Sequence, residues 1–474
     1  MINVIKDTKC DSWFKINWTK SNRIVNNLQR RIFAAKQEGN FRKVRKLQNL
    51  LLYSQSNRNL AVQQVSLLNA GTKTSGINKK VCLDPSERMK LLNEISINSL
   101  NKWKPMPAKR IYILKSNSTK KPLDIPTIKD RALQTIVKNA LEPEWEAVFA
   151  GSIYDFRKNR SAHDAIKYIH KVFNSTTKKH WIVNADIKGC FNNLSHKFLI
   201  EKISRFPALQ LIKHWLKAGY INKYVFHDSK FETTQGGIIS PLLANITLHG
   251  IEHALNIKRN KTFISTYKCI RYANNCIIAC QTKEEAQNVV DKLYSWLKNR
   301  NLTLSPEKTK ITHISDGFDF LGFNIRIYKN DNRQKLLIQP SKQSIIKFRH
   351  SLKSIWKEVR GSNINKVIVK LNPIIKGWAN YYRSARVSSK VFSTMDYYIW
   401  NRQYRHVKRT HPNKSWQWIR EKYWGKLCPD KKDRWVFGDK STGAYMYKLA
   451  WTTIKKGQVM VKVNNSYYDP SFKD

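Results

Sequence analysis

The chain has 474 residues, and its 87 Lys and Arg against 33 Asp and Glu give a formal net charge of +54, while 41% of its residues are hydrophobic. This apolar content suffices for packed cores, so a disordered basic tail is excluded, and the cation excess suits a polyanion because neutralised phosphates release counterions and favour binding. The apolar stretch 236–248 is short and interrupted by Pro241, and the seven cysteines form no C-x-x-C pair, which argues against a membrane partner, a zinc knuckle and a disulfide framework.

The first predicted elements are two basic helices between residues 22 and 64, joined by a turn at Glu38-Gly39-Asn40. Their apolar residues recur at helical spacing: Ile24, Leu28, Ile32, Val44, Leu47 and Leu51. The other faces would carry the basic residues Arg30, Arg31, Lys36, Arg42, Lys43, Arg45 and Lys46. A solvated helix face explains any one of these equally well, but the whole cluster predicts a surface that contacts phosphates.

The middle of the chain is predicted to mix strands and helices. KRIYIL at 109–114 and WIVNAD at 181–186 have the composition of short strands, and KSNSTKKPLDIP at 115–126 has the turn and proline chemistry of a loop that connects strands. Residues 267–280 predict two strands folded about Ala273-Asn274-Asn275, since Asn tolerates positive φ. FDFLGFNIRI at 318–327 predicts one further strand.

Helices return after Pro340, where Ile345, Phe348, Leu352 and Trp356 share one helical face. From residue 378 to residue 405 aromatic and basic side chains interleave. This pattern is typical of surfaces that stack bases and neutralise phosphates. Core packing is the alternative, and for Trp378 and Trp400 it is the stronger interpretation.

Four segments in fixed order resemble the reverse transcriptase of group II introns: KPLDIPTIKDRALQ at 121–134, NADIKGCFNNLSH at 184–196, QGGIISPLLANI at 235–246 and RYANNCIIAC at 271–280. SPEKT at 305–309 and FDFLGF at 318–323 add support, and LNPIIKGWANYYR at 371–383 resembles the maturase or X domain. The opening helices resemble the N-terminal extension of these proteins.

The resemblance implies an α+β fold with the right-hand polymerase architecture. We expect a basic helical N-terminal extension at 1–100, reverse-transcriptase fingers and palm at 101–338, and a helical thumb and maturase X domain at 339–400. Residues 401–474 would form a basic C-terminal region that binds DNA or RNA. No H-N-H endonuclease with paired cysteines is expected after residue 424.

Polymerase chemistry by in-line displacement uses two divalent cations, and Mg²⁺ prefers carboxylate oxygens. Asp186, at the end of an apolar strand, fits one such ligand, although a strand-end Asp that caps a turn is the default interpretation. The family pattern Tyr-Ala-Asp-Asp is replaced here by Tyr272-Ala273-Asn274-Asn275. Because amides are neutral, the degenerate catalytic set Asp186, Asn274 and Asn275 predicts at most a weak metal site and lost or nearly lost DNA synthesis.

The resemblance also implies a nucleotide-binding groove and an RNA-binding helix. The groove residues are Lys115, Lys121, Phe191 and Gln235, with surface solvation as the alternative for the two lysines. The helix residues are Lys376, Trp378, Tyr381, Tyr382 and Arg383. Asn192, Asp155 and Thr234 depart from the family pattern beside these motifs.

The function implied is that of a maturase, which binds the structured group II intron RNA and promotes its splicing. One alternative is an active RNA-directed DNA polymerase involved in intron mobility, and another is a general RNA-binding splicing factor for several introns. Mg²⁺ would serve the intron RNA and any residual polymerase activity. DNA and a second copy of the chain are further partners implied by the family. The Lys, Asn and Ile bias favours an organelle, plastid ahead of mitochondrion, with the bacterial cytoplasm as the alternative.

Overall fold

A computed structural model of the chain describes residues 12–95, 103–114, 120–173, 178–190, 193–222, 225–228, 236–257, 267–330, 333–385, 388–454 and 466–469. The chain divides into two compact units. The first unit consists of Met1–Ser161, Val183–Ile311 and Val461–Asp474, and the second consists of Ala162–Ile182 and Thr312–Met460. Helices and sheets occur in separate stretches of both units, which confirms the α+β class.

The first unit opens with a helical region. Its helices are α1 (Trp18–Gln37), α2 (Phe41–Leu52), α3 (Gln55–Gln63), extended by a π-helical turn at Gln64–Leu68, and α4 (Pro85–Glu94). The Asn17 and Asn40 side chains cap α1 and α2 by accepting backbone N–H groups, and Gly39 takes φ +73 in the turn between them. The predicted apolar stripes face α5 (Ile128–Glu146), with Ile32, Val44, Leu47 and Leu51 buried.

A four-stranded sheet in the first unit consists of β1 (Ala108–Leu114), β2 (Lys120–Ile125), β4 (Tyr220–Asn222) and β5 (Val225–His227). The order of its strands is β2-β1-β4-β5. The prediction of a loop was wrong for Lys120–Ile125, which pairs antiparallel with β1 and sets Lys121 opposite Ile113. Pro122 is tolerated there because β2 is an edge strand, where a missing N–H breaks no ladder bond.

A second sheet brings the central motifs together. Its strands β3 (Trp181–Lys188), β6 (Lys268–Tyr272), β7 (Asn275–Cys280) and β8 (Thr303–Leu304) have the order β6-β7-β3-β8, and β9 (Lys310–His313) also pairs with β3. The predicted hairpin is confirmed, but Ala273 rather than an Asn takes the positive φ of +55. Five more helices of the first unit come after β3 in the chain: α7 (His196–Lys202), α8 (Leu209–Lys217), α9 (Ser240–Thr247), α10 (Ile251–Ala254) and α11 (Lys283–Lys298).

The second unit contains α6 (Ala162–Val172) and a three-stranded antiparallel sheet of β10 (Phe318–Phe320), β11 (Phe323–Asn330) and β12 (Arg333–Pro340). The prediction of one strand over 318–327 was wrong. Leu321 and Gly322 take φ values of +50 and +80, so the chain turns back there and forms two strands.

The helices of the second unit are α12 (Lys342–Glu358), α13 (Ile364–Tyr382), α14 (Ser388–Thr410) and α15 (Trp416–Tyr423). A short hairpin of β13 (Trp424–Gly425) and β14 (Val436–Phe437) and a 3-10 turn at Leu449–Trp451 follow. Helix α14 runs through the domain boundary that the sequence predicts near residue 400.

Two composition-based expectations can be compared with the described residues. None of the helices in those residues is both long and apolar enough to cross a bilayer. The six cysteines among them, from Cys82 to Cys428, are buried and form no disulfide.

Candidate functional site

The Asp186 carboxylate lies near the end of β3 and is 7% exposed. One of its oxygens, Oδ2, forms an ion pair with Lys308 Nζ at 2.7 Å. The backbone joins the same two segments, since the N–H of Ser305 donates to the Asp186 carbonyl at 2.7 Å and that of Asp186 donates to Thr309 Oγ1 at 3.4 Å. The SPEKT segment therefore supplies the counter-charge of the predicted catalytic carboxylate.

The other oxygen of Asp186 faces the hairpin between β6 and β7. Asn274 Nδ2 donates a hydrogen bond to Asp186 Oδ1 and a second one to the Ile187 carbonyl at 3.3 Å. The N–H of Ile187 donates in turn to the Asn274 carbonyl at 2.9 Å, and Asn275 Nδ2 donates to Asn274 Oδ1 at 3.4 Å. The structure thus brings the three predicted residues together, and the hydrogen bond to Asp186 uses the amide N–H that an aspartate lacks.

The Asp186 carboxylate therefore has two side-chain partners, the ammonium group of Lys308 and the amide group of Asn274. A two-metal site needs several carboxylate oxygens that can bind cations, but here both oxygens of Asp186 have protein partners and the two neighbouring side chains are neutral. Within the described part of the chain, no group of three or more His, Cys, Asp and Glu could hold a metal ion. The residues around the hairpin therefore do not fit a pair of Mg²⁺ ions.

A buried arginine, Arg271, contacts the same hairpin. Arg271 is 1% exposed, and its Nη1 donates to the Ala273 carbonyl at 3.4 Å, while its backbone bonds to Ser152 and Tyr154. Burial raises the pKa of the Cys190 thiol to about 12, with Arg271 opposing this rise and Asp155 and Asp186 adding to it. Arg271 is thus a buried residue that contacts the hairpin and that the predicted site residues do not include.

Of the four predicted groove residues, Lys121 is described by the structure, and Lys115, Phe191 and Gln235 lie outside the described residues. Lys121 is exposed on β2. Close by in the sheet, the Asp124 carboxylate accepts two hydrogen bonds from the buried Arg110 guanidinium at 2.6 and 3.0 Å. The QGG segment reaches this strand through Gly236, where an added Cβ would lie 2.2 Å from the Asp124 carbonyl oxygen.

Replacing Gly236 with Ala is expected to destabilise the chain by at least about 3 kcal/mol, through steric overlap and backbone strain at φ +134. Gly39 offers a matched control, because it also has a positive φ of +73 but no atom within 4 Å of an added Cβ. Gly39→Ala should cost about 1 kcal/mol. Urea denaturation of both variants measures the difference, and equal shifts would show that Gly236 is not held against β2.

The basic residues of the opening helices occupy the surface that the sequence predicts. Six of the seven basic residues in the predicted phosphate-contacting cluster are exposed: Arg30, Arg31, Arg42, Lys43, Arg45 and Lys46. Lys36 differs, because its Nζ pairs with Glu144 Oε1 at 2.8 Å and the side chain is 17% exposed. An internal partner on α5 thus removes this lysine from the otherwise continuous basic surface.

The predicted RNA-binding residues of α13 divide between packing and surface. The Trp378 ring stacks on Phe348 with centroids 4.4 Å apart, Tyr382 is buried, and the Tyr381 hydroxyl donates to the Leu321 carbonyl at 2.9 Å. Lys376 is exposed and Arg383 half-buried. The three rings therefore hold the helices and the β10–β11 turn together, whereas Lys376 and Arg383 keep access to solvent.

The interleaved pattern on α14 separates into two faces. Tyr397, Trp400 and Tyr404 form a stacked ladder with centroids 6.1 and 6.0 Å apart, and Tyr397 is 66% exposed. Arg402, Arg405 and Arg409 share the spacing i, i+3, i+7 and point to another side of the helix. The interleaved sequence pattern includes aromatic and basic residues, but it does not show that they occupy separate faces of the helix.

Lys308 is the functional neighbour that sequence reasoning missed. It lies in the SPEKT segment at 305–309, which the resemblance includes, but no role was assigned to it. The signal that could have identified it is the combination of a lone carboxylate at Asp186 with a lysine in a motif expected to lie beside it.

Three family models match consecutive parts of the chain. Residues 113–325 match the reverse transcriptase (RNA-dependent DNA polymerase) family, and residues 13–95 match the N-terminal domain of reverse transcriptase. Residues 345–424 match the group II intron, maturase-specific domain.

Individual relatives point the same way. The chain is 33% identical to group II intron-encoded protein LtrA of Lactococcus lactis subsp. cremoris over 325 residues, which cover 55% of this chain and 54% of that protein. It is 30% identical to protein YkfC of Escherichia coli, covering 47% of this chain and 68% of YkfC. It is 26% identical to maturase-like protein 1 of Euglena gracilis, covering 79% and 78%. The chain thus spans about half the length of the Lactococcus relative.

Proposed function

The chain belongs to the group II intron reverse transcriptase and maturase family, and on this premise we propose that it binds a structured group II intron RNA and promotes its splicing. The single observation that carries the proposal is the occupied carboxylate of Asp186, held by Lys308 and Asn274. An Asp186 carboxylate engaged in this way supports weakened polymerase chemistry, and the exposed basic residues support RNA binding. A maturase needs charge and shape, because the RNA itself performs the transesterifications.

The proposed RNA-binding residues form one surface in each unit: the exposed cations of α1 and α2 in the first, and Lys376 on α13 with Arg383 just after its end in the second. The cations of α1 and α2 and Lys376 are exposed, Arg383 is half-buried, and the chain carries a net charge of +54. Phosphate neutralisation by such cations gives affinity without base readout, so shape complementarity must provide the choice of RNA. Trp378, Tyr381 and Tyr382 contribute by holding the helices that present Lys376 and Arg383.

We also propose that RNA-directed DNA synthesis is lost or strongly weakened. Asp186, Asn274 and Asn275 then form a degenerate site, and Lys115, Lys121, Phe191 and Gln235 line a groove that holds RNA instead of a nucleoside triphosphate. Mg²⁺ would be required by the intron RNA and by any residual polymerase activity.

An active polymerase that takes part in intron mobility is the alternative, favoured by the intact sheet around Asp186. A general splicing factor for several introns is the other alternative. We keep the four-part division predicted at 1–100, 101–338, 339–400 and 401–474, with DNA and a second copy of the chain as further proposed partners. An organelle is the proposed location, plastid ahead of mitochondrion, with the bacterial cytoplasm as the alternative.

The experiment that tests the proposal compares RNA binding across a salt series. The full chain is titrated with the intron that flanks its gene, with a second group II intron and with an unrelated structured RNA of equal length, at KCl concentrations that rise in steps from low to high ionic strength. A maturase dedicated to one intron should keep a preference of at least about 100-fold for that intron as salt rises, since counterion release weakens all three alike. Equal binding of both introns would favour the general splicing factor, and equal binding of all three would contradict selective intron recognition.

The salt series also tests the basic surface of α1 and α2. We expect Arg42→Ala/Arg45→Ala to weaken binding of the intron and to lower the slope of log affinity against log salt by about 0.7 to 0.9 for each phosphate that the variant no longer neutralises. Lys36→Ala is the matched control, because Lys36 is paired with Glu144 and should leave the slope unchanged. A slope unchanged in the double variant would mean that this surface does not contact the RNA.

A further inference from the structure

A concave basic pocket lies between helices α12 and α14 of the second unit. Six cations line it: Lys353, Lys357, Arg360, Arg402, Arg405 and Arg409. Lys353 and Lys357 are four positions apart on one face of α12, Arg360 follows just after the end of that helix, and Arg402, Arg405 and Arg409 share one face of α14, so two basic stripes line the pocket. The side chains of Trp356 and His406 complete the lining, with ring centroids 5.3 Å apart.

The pocket contains no counter-charge of its own. None of its lining residues is acidic, and none of the six cations forms a salt bridge with another described residue. Glu358, the one acidic residue of α12, pairs with Lys370 instead. Like charges gathered in a concave surface repel one another and raise the local positive potential, and a bound anion would relieve this repulsion.

A neutral donor in the lining, the indole of Trp356, points to the same kind of ligand. Trp356 is 8% exposed, and its buried Nε1 has no hydrogen-bond partner among the described residues. An unsatisfied buried donor costs about 1–3 kcal/mol, and an acceptor that reaches Nε1 would recover this cost. Burial, and then the charge of Arg409, lower the pKa of His406 against the opposing effect of the Ser362 backbone. His406 therefore takes up a proton less readily than a free imidazole.

We infer that this pocket binds a phosphate of the RNA backbone. The pocket volume is about 170 Å³, well below the roughly 300–1,000 Å³ of sites that enclose small organic molecules. A phosphate group fits this volume, accepts hydrogen bonds from guanidinium groups and from an indole N–H, and supplies the missing negative charge. The inference rests on the proposed function for its RNA source, whereas the anion site itself rests on the lining residues.

The first test uses inorganic phosphate and the full chain. The melting temperature is measured in potassium phosphate and in potassium chloride of equal ionic strength, because an anion bound to the native state stabilises it. We expect phosphate to raise the melting temperature of the unmodified chain more than that of Arg405→Ala/Arg409→Ala. Arg434→Ala, an exposed arginine of the same unit outside the pocket, is the control and should respond as the unmodified chain does.

The second test uses the intron RNA and the same variants. The Arg405→Ala/Arg409→Ala variant should lower the salt slope by about 0.7 to 0.9 if it neutralises one phosphate fewer than the unmodified chain, and Arg434→Ala should not. Trp356→Phe keeps an aromatic ring and removes only the N–H donor. It should weaken RNA binding about fivefold without changing the slope, because no charge is removed.

The outcomes separate the pocket from the proposed function. If the unmodified chain fails to bind the intron selectively, the proposed function fails, and the phosphate experiment alone then decides the anion site. If the unmodified chain binds but both pocket variants match it in affinity and slope, the pocket does not contact RNA and the inference is overturned. A response to inorganic phosphate without any effect on RNA binding would limit the site to small anions and would also contradict the inference.

Discussion

The double variant Asn274→Asp/Asn275→Asp is expected to extend a primer on an RNA template at least about 100-fold faster than the unmodified chain, and only when Mg²⁺ is present. The two substitutions restore carboxylates beside Asp186, which are the ligands that a pair of Mg²⁺ ions requires. Electrostatic stabilisation of a phosphoryl-transfer transition state is worth several kcal/mol, and each 1.36 kcal/mol changes the rate about tenfold.

The same variant has a second expected property that does not depend on catalysis. Without Mg²⁺ it should melt at a lower temperature, because Asp at 274 removes the amide hydrogen bond to Asp186 and places like charges together. Mg²⁺ should restore its melting temperature and leave that of the unmodified chain unchanged. Asn380→Asp/Asn413→Asp adds the same charge at exposed positions of the second unit and serves as the control. If the control also gains activity, or the double variant gains none, the hairpin is not the site of the lost chemistry.

Arg157→Ala is expected to destabilise the chain by about 3–5 kcal/mol, because it leaves the buried carboxylate of Glu146 without its cation. Both side chains are 3% exposed, and Arg157 Nη2 and Nε donate to Glu146 at 2.6 and 2.9 Å. Arg157 Nη1 also donates to the carbonyls of Ala150 and Ile153 at 2.7 and 3.0 Å. Arg157 thus fixes the segment that contains Ser152 and Tyr154, whose backbone groups form hydrogen bonds with the backbone of Arg271.

The control for this prediction is an exposed ion pair. Lys43 and Glu38 lie 3.4 Å apart with side chains 48% and 57% exposed, so Lys43→Ala should cost less than about 1 kcal/mol. Arg157→Lys should fall between the two, since lysine keeps the charge but cannot reproduce the guanidinium hydrogen bonds. Urea denaturation measures all three variants. A cost for Arg157→Ala as small as that for Lys43→Ala would mean that water reaches the Glu146 carboxylate.

Local patterns were sufficient to predict much of the fold. The stripes that include Ile32, Val44 and Leu51 and the strands around Asp186 follow from periodicity within a few turns or residues, and the structure bears them out. The turn at Leu321 and Gly322 could not be predicted in this way. Its positive φ at a leucine depends on contacts that arise only in the folded chain, such as the hydrogen bond from Tyr381 to the Leu321 carbonyl.

The sequence predicted which residues lie together at the site, but not all of the interactions between them. Spacing and resemblance predicted that Asp186 and Asn274 lie together, and the structure brings them into contact. The pairing of Asp186 with Lys308 joins residues far apart in sequence, and no local pattern specifies such an ion pair. The basic pocket was missed for the same reason, because its two stripes lie on separate helices whose facing side chains are decided by tertiary packing.

The measurement that tests the central claim most directly is a paired assay on one purified preparation. Splicing of the intron that flanks the gene is followed at near-physiological Mg²⁺ with and without the protein, beside primer extension on an RNA template. We predict that the protein accelerates splicing and extends no primer, as expected of a maturase in which the Asp186 carboxylate is held by Lys308 and Asn274. Primer extension without any effect on splicing would contradict this account and would identify the protein as a DNA-synthesising enzyme.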